Sequence, residues 1–262
     1  MNPFLQVPDY PEYRSAIQEE ALSRLMHVVE NKALGVLTGE VGSGKSTLLR
    51  IVAGKLPQSD YQIVYLSSSH MNPKELYTGT LRAMGETPAF SAPKVKQQWR
   101  EILDSRSAGN SRQLVLFIDE AHDMPDSTLL ELRFLMTHGM SPNPAFPVIL
   151  AGQGKLRRDL NTNLMEPISQ RIRMQYHLGG MTAQECARYI LHQMQKADLT
   201  LPVFTEGAMK TIHATSQGIP RVVNLLCGSA LILSRKNEEN AVEEKHIATV
   251  LTDIDRQRGN RI

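Results

Sequence analysis

The chain is poor in cysteine. Cys186 and Cys227 are its only two in 262 residues, and neither sits in a CxxC pair or a Cys/His cluster. That excludes a thiolate-held metal centre and a disulfide framework, and two isolated thiols suit a reducing compartment. Both also read simply as small apolar residues on helices. Long hydrophobic runs are missing too: nothing approaches the roughly 20 apolar residues of a membrane-spanning helix. The first stretch, "MNPFLQVPDYPEYRSAIQEE", lacks the basic-then-apolar pattern and cleavage site of a secretory signal, so we expect a cytoplasmic protein with no membrane insertion. Excess charge of one sign is absent as well. The formal net charge is +2, so any nucleic-acid surface must be a local patch.

What is present is ordinary globular material, with 41% hydrophobic and 21% charged residues and enough length for one large domain or two. Residues 1–13, rich in proline and aromatics, read as an extended strap. Residues 14–29 carry helical spacing, with Ile17, Ala21, Leu22, Leu25, Met26 and Val29 on one face. Strands are expected at 33–38, 62–66, 114–118 and 148–151, helices at 45–56, 94–104 and 126–137, and a turn and helix start in "SSSHMNPKEL" with the helix running on to about Met84. Five consecutive apolar residues at 114–118 mark a central parallel strand covered on both faces. After Gln175 the texture changes. "MTAQECARYILHQMQKA", "TEGAMKTIHATS", "PRVVNLLCGSALILSRKN" and "EEKHIATVLTDIDRQ" are helix-like, with no strand between them. Alternating strands and helices imply an α/β parallel sheet, and helices alone imply a bundle. The boundary is expected near Gly179 and Gly180, giving a core over 1–178 with its N-terminal strap and a helical domain over 179–262.

The stretch "VLTGEVGSGKSTLLRIVAG" places a glycine loop between a strand and a helix. Gly39, Glu40, Val41, Gly42, Ser43, Gly44, Lys45 and Ser46 match G-x-x-x-x-G-K-[ST], and Thr47 follows. Glycines let successive backbone N–H groups turn inward around a phosphate, and the helix behind points its positive end at the same anion. Lys45 would neutralise β- and γ-phosphates and the Ser46 hydroxyl would ligate Mg²⁺. ATP and Mg²⁺ are therefore the expected cofactors.

"LVLFIDEAH" supplies the acids. Asp119, at the carboxyl edge of the sheet, would hold Mg²⁺ through water, and Glu120 is placed to polarise an attacking water. One acid serves binding; two in succession suggest hydrolysis. Gln153, after the strand at 148–151, is a candidate for touching the γ-phosphate or the water, against the alternative of a solvated loop glutamine. In "EPISQRIRMQYHL", Arg171 fits an arginine finger reaching a neighbour's γ-phosphate better than Arg173 does, and a surface arginine is the alternative. Arg221 follows the Gly-Ile-Pro turn at a helix N-terminus, where it could fold onto the phosphates or pair with a nearby acid.

Taken in order, these motifs resemble a P-loop ATPase of the AAA+ superfamily over nearly the whole chain. The loop, "FIDEAH", "ILAGQ", "QRIRMQYHLGGMT" and "GIPRVVNLLC" are similar to the ExeA family of general-secretion-pathway ATPases, and also to the IstB-like and TnsC-like helpers of DNA transposition. The resemblance implies a parallel-sheet core with a helical lid. It matches Lys45 and Ser46 to Walker A, Asp119 and Glu120 to Walker B, Gln153 to sensor 1, Arg171 to the finger and Arg221 to sensor 2. Secretion-type members continue into a membrane span, whereas this chain ends in the hydrophilic "DRQRGNRI". The expectation is therefore an accessory ATPase of a mobile element, assembling with ATP into a ring or filament on double-stranded DNA and recruiting or activating a transposase. A soluble ExeA-like ATPase of secretion or envelope assembly is the other reading. Lys74, Lys94, Lys96 and Arg100 are the candidate DNA contacts, to phosphates and hence salt-sensitive.

Overall fold

The computed structural model describes residues 2–4, 13–67, 70–109, 111–141, 143–197, 203–257 and 259. Most of the expected strap and the end of the basic tail lie outside them. The chain divides into two compact units. One, the sheet unit, comprises Gln18–Glu40 and Lys45–Leu178; the other, the helical unit, comprises Met1–Ile17, Val41–Gly44 and Gly179–Ile262.

In the sheet unit, α1 (Ala16–Glu30, entering from the other unit) leads into β1 (Leu34–Gly39) and, after the glycine loop, α2 (Lys45–Lys55). Then come β2 (Tyr61–Ser67), α3 (Pro73–Ala83), α4 (Ala92–Ala108), β3 (Gln113–Asp119), α5 (Asp126–Leu135) and β4 (Val148–Gly152). The unit closes with α6 (Gly154–Leu160), α7 (Glu166–Ser169) and β5 (Ile172–Leu178). The strands pair in parallel in the order β2-β3-β4-β1-β5. β3 is interior, and all but its first residue are buried, as an unbroken apolar run requires. Because β4 lies between β3 and β1, Asp119, Gly152 and Gly39 end three adjacent strands at one edge of the sheet.

Local chemistry sets the helix starts. Asn72 and Glu75 form a reciprocal capping box at α3, with proline in its first turn. Under the sheet, Trp99 is buried, donates Nε1–H to the Leu135 carbonyl at 2.9 Å and meets the Phe146 ring edge-on at 5.8 Å. The apolar spacing of the sequence shows four strands; β5 is the addition. Its residues alternate half-buried and exposed up to Leu178, with Arg173, Gln175 and His177 outward. Such an edge strand carries too many polar residues to read as sheet without its neighbour.

In the helical unit, α8 (Ala183–Lys196), α9 (Glu206–Ser216), α10 (Pro220–Lys236) and α11 (Glu244–Gln257) enclose a second core with Ile190, Met194, Ile212, Leu226 and Val250. Cys186 and Cys227 are free and buried within it. Burial pushes the Cys186 thiol up to about 11 and Cys227 well above its ordinary value, so both remain protonated. Residues of the N-terminal strap fasten here: Asn2 Nδ2 donates to the Gly228 carbonyl at 2.9 Å, the Phe4 and Phe204 rings meet edge-on at 5.8 Å, and the Tyr13 hydroxyl donates to the Glu185 carbonyl at 3.0 Å. Among the described residues no helix is long and apolar enough to cross a membrane.

Candidate active site

β1 delivers the chain to the glycine loop at the carboxyl edge of the sheet, and α2 carries it away beginning at Lys45. Gly42 and Gly44 hold φ of 83° and 102°, values that a side chain disfavours. A Cβ on Gly42 would fall 2.5 Å from the Arg221 Cβ, and the Arg221 N–H reaches the Gly42 carbonyl at 3.3 Å, both within the helical unit. Arg221 itself is exposed in the first turn of α10, behind Pro220. Lys45 is buried, and its Nζ donates to the carbonyls of Gly39 at 2.9 Å and Glu40 at 3.0 Å. Ser43 is also buried, and its Oγ has no hydrogen-bond partner. Ser46 is exposed and Thr47 half-buried on the first turn of α2, and Val41 is exposed.

Across the edge, Asp119 is buried at 3% exposure at the end of β3. Its Oδ1 accepts the Glu120 N–H at 2.9 Å and its Oδ2 accepts the Tyr65 hydroxyl at 2.8 Å. Glu120 sits in the left-handed region, φ 54° and ψ 31°, which turns its half-exposed side chain out of line with the strand. The buried His122 lies next to it, Nδ1 3.3 Å from Glu120 Oε2 without hydrogen-bond alignment, and Nε2 3.7 Å from Asp123 Oδ1. Lys155 Nζ donates to the His122 carbonyl at 3.2 Å. Gln153 follows β4 directly as the residue before α6, and its side chain does not cap that helix.

Gly39, Lys45, Asp119, Glu120 and Gln153 thus share one sheet edge. Arg171 does not. It precedes β5, where Leu34 pairs with Ile172 and Gly39 with Leu178, so the length of β1 separates it from the loop, roughly 17 Å at about 3.3 Å per residue. It is exposed, with Nη1 donating to the Pro167 carbonyl at 3.0 Å.

The basic candidates lie on α3 and α4. Lys74 is exposed, its Nζ over the Phe90 ring at 5.2 Å, and Lys94 and Arg100 are exposed. Lys96 is paired with Glu131 at 2.7 Å. Residue order alone missed Tyr65 and left His122 without a role. His122 was visible within "DEAH", whereas nothing local marks Tyr65. Among the described residues no cluster of three or more His, Cys, Asp or Glu is arranged to hold a metal by protein ligands alone.

Residues 27–160, more than half of the chain and including every sheet-edge residue named above, match the AAA domain family. The chain is 31% identical to the general secretion pathway protein A of Aeromonas hydrophila over 224 residues, covering 84% of this chain and 40% of that one. It therefore spans less than half the length of that curated relative. The structure superposes on Cdc6p from Pyrobaculum aerophilum with a TM-score of 0.68 at 16% identity, covering 92% of this chain and 67% of that one. The ORC1 protein of Aeropyrum pernix, solved in complex with DNA, gives 0.65 at 16% identity, covering 98% and 70%. At such identities the likeness to solved structures is one of fold.

Proposed function

Since the chain belongs to the AAA domain family and has the parallel sheet of an AAA+ P-loop NTPase, we propose that it binds ATP with Mg²⁺ at residues 39–47 and hydrolyses it. The observation that carries this reading is the buried Lys45 ammonium, held by the Gly39 and Glu40 carbonyls at the same sheet edge as the buried Asp119. The donor set fits the ligand: a buried Ser43 hydroxyl without a partner, two glycines at positive φ and an ammonium suit a phosphate.

In this reading Gly39, Val41, Gly42, Ser43, Gly44 and Thr47 bind the nucleotide and Lys45 neutralises its terminal phosphates. Ser46 and Asp119 would hold Mg²⁺, which would offset negative charge on the phosphates. Glu120 orients and deprotonates the attacking water, and Gln153 is assigned to the γ-phosphate or that water. Arg221 is assigned to nucleotide contact. Arg171, at the far edge of the sheet from its own loop, is assigned to the γ-phosphate of a neighbouring copy, which makes hydrolysis depend on a ring or filament.

Lys45→Ala is expected to abolish nucleotide binding. Glu120→Gln is expected to keep binding and lose phosphate release. Unchanged binding in the first or unchanged turnover in the second overturns the proposal.

For the wider role, the relative from Aeromonas favours the secretion or envelope-assembly reading over a transposition helper, and we adopt it. No observation on this chain speaks for a transposase partner. Duplex DNA remains the discriminating ligand, with Lys74, Lys94 and Arg100 better placed for phosphates than the paired Lys96. Electron microscopy with an ATP analogue distinguishes the two. Assemblies that form equally well without DNA support the secretion role, and assemblies that require duplex revive the transposition one.

A further inference from the structure

We infer that Tyr65 is a positioning residue for Mg²⁺ binding, its hydroxyl fixing the Asp119 carboxylate in the orientation that the ion needs. The inference rests on the assignment of Asp119 to Mg²⁺.

Asp119 is almost fully buried, so its carboxylate must be satisfied by donors within the protein. Two are in place, one on each oxygen: the Glu120 N–H on Oδ1 and the Tyr65 hydroxyl on Oδ2. A carboxylate oxygen accepts two hydrogen bonds, so each keeps one lone pair for the water shell of an ion. The backbone donor alone would leave the carboxylate free to swing about its Cβ–Cγ bond. The second donor, coming from β2, fixes its plane. The sheet register makes this reach dependable, since β2 and β3 pair without interruption and Ser67 stands opposite Asp119.

Tyr65 is 48% exposed, so the hydroxyl contact rather than burial is its principal tie to the site.

The test measures ADP binding by calorimetry in EDTA and across a Mg²⁺ titration, for wild type and Tyr65→Phe. Phenylalanine keeps the ring and removes only the donor. The expected result is unchanged affinity in EDTA and an approximately tenfold higher Mg²⁺ requirement, the low end for a lost hydrogen bond to a charged group. In an Asp119→Asn background, Tyr65→Phe should add no further loss. An unchanged Mg²⁺ requirement, or equal weakening with and without Mg²⁺, overturns the positioning role. A wild type whose ADP affinity ignores Mg²⁺ overturns the Mg²⁺ assignment and this inference with it.

Discussion

One added methyl group tests the glycine loop. At Gly42, φ of 83° already disfavours any side chain, by about 1–2 kcal/mol, and a Cβ would sit 2.5 Å from that of Arg221. Gly42→Ala should therefore weaken nucleotide binding about tenfold or more, read by calorimetry with ADP. The loop was legible because all of its requirements lie within eight consecutive residues. The Asp119 and Glu120 pair was legible for the same reason. Tyr65 was not: it meets Asp119 from 54 residues away, and a tyrosine in a strand pattern carries no mark of its partner. His122 had the right neighbours in sequence, but its approach to Glu120 follows from the left-handed turn at Glu120, which no periodicity announces.

Among the elements, α8 offers the clearest energetic test. Thr182 accepts the Glu185 N–H at 3.3 Å, while Glu185 accepts from the Thr182 N–H at 2.9 Å and the Ala16 N–H at 2.8 Å. Burial pushes the Glu185 carboxyl up, but the hydrogen bonds from Thr182 and Ala16 outweigh it and hold it below its ordinary value. Its stabilisation is therefore complete above the unfolded carboxylate pKa of about 4.3, and is lost as pH falls through the lower folded value. Thr182→Ala should cost about 1 kcal/mol in urea unfolding near neutral pH. Lowering the pH through the carboxylate range should destabilise wild type as Glu185 protonates, and Glu185→Gln should flatten that part of the profile. Helices were legible from their apolar faces. β5 was not, because an edge strand with every second residue exposed looks polar until β1 is placed beside it.

At the scale of the whole molecule, the proposed assignment of Arg171 to a neighbour's γ-phosphate requires a second copy for turnover. Turnover should rise more steeply than linearly with protein concentration at low concentration. Arg171→Ala should lower turnover at least a hundredfold while leaving ADP affinity near wild type, if it serves as a finger. Mixing Arg171→Ala with Lys45→Ala should restore part of the turnover, since an intact loop can then face an intact arginine. A single-copy preparation at full rate, or no rescue in the mixture, removes the assembly from the proposal.

Residue order by itself determined the glycine loop, the acid pair, four strands and the helical run after Gly180. Each is written in contiguous residues whose spacing and chemistry are local. Only the tertiary structure decided that Tyr65 meets Asp119, that a fifth strand closes the sheet beside β1, and that Arg171 stands at the opposite sheet edge from its own loop. Those facts depend on strand order and register, which bring together residues tens of positions apart, and no local pattern encodes such a pairing.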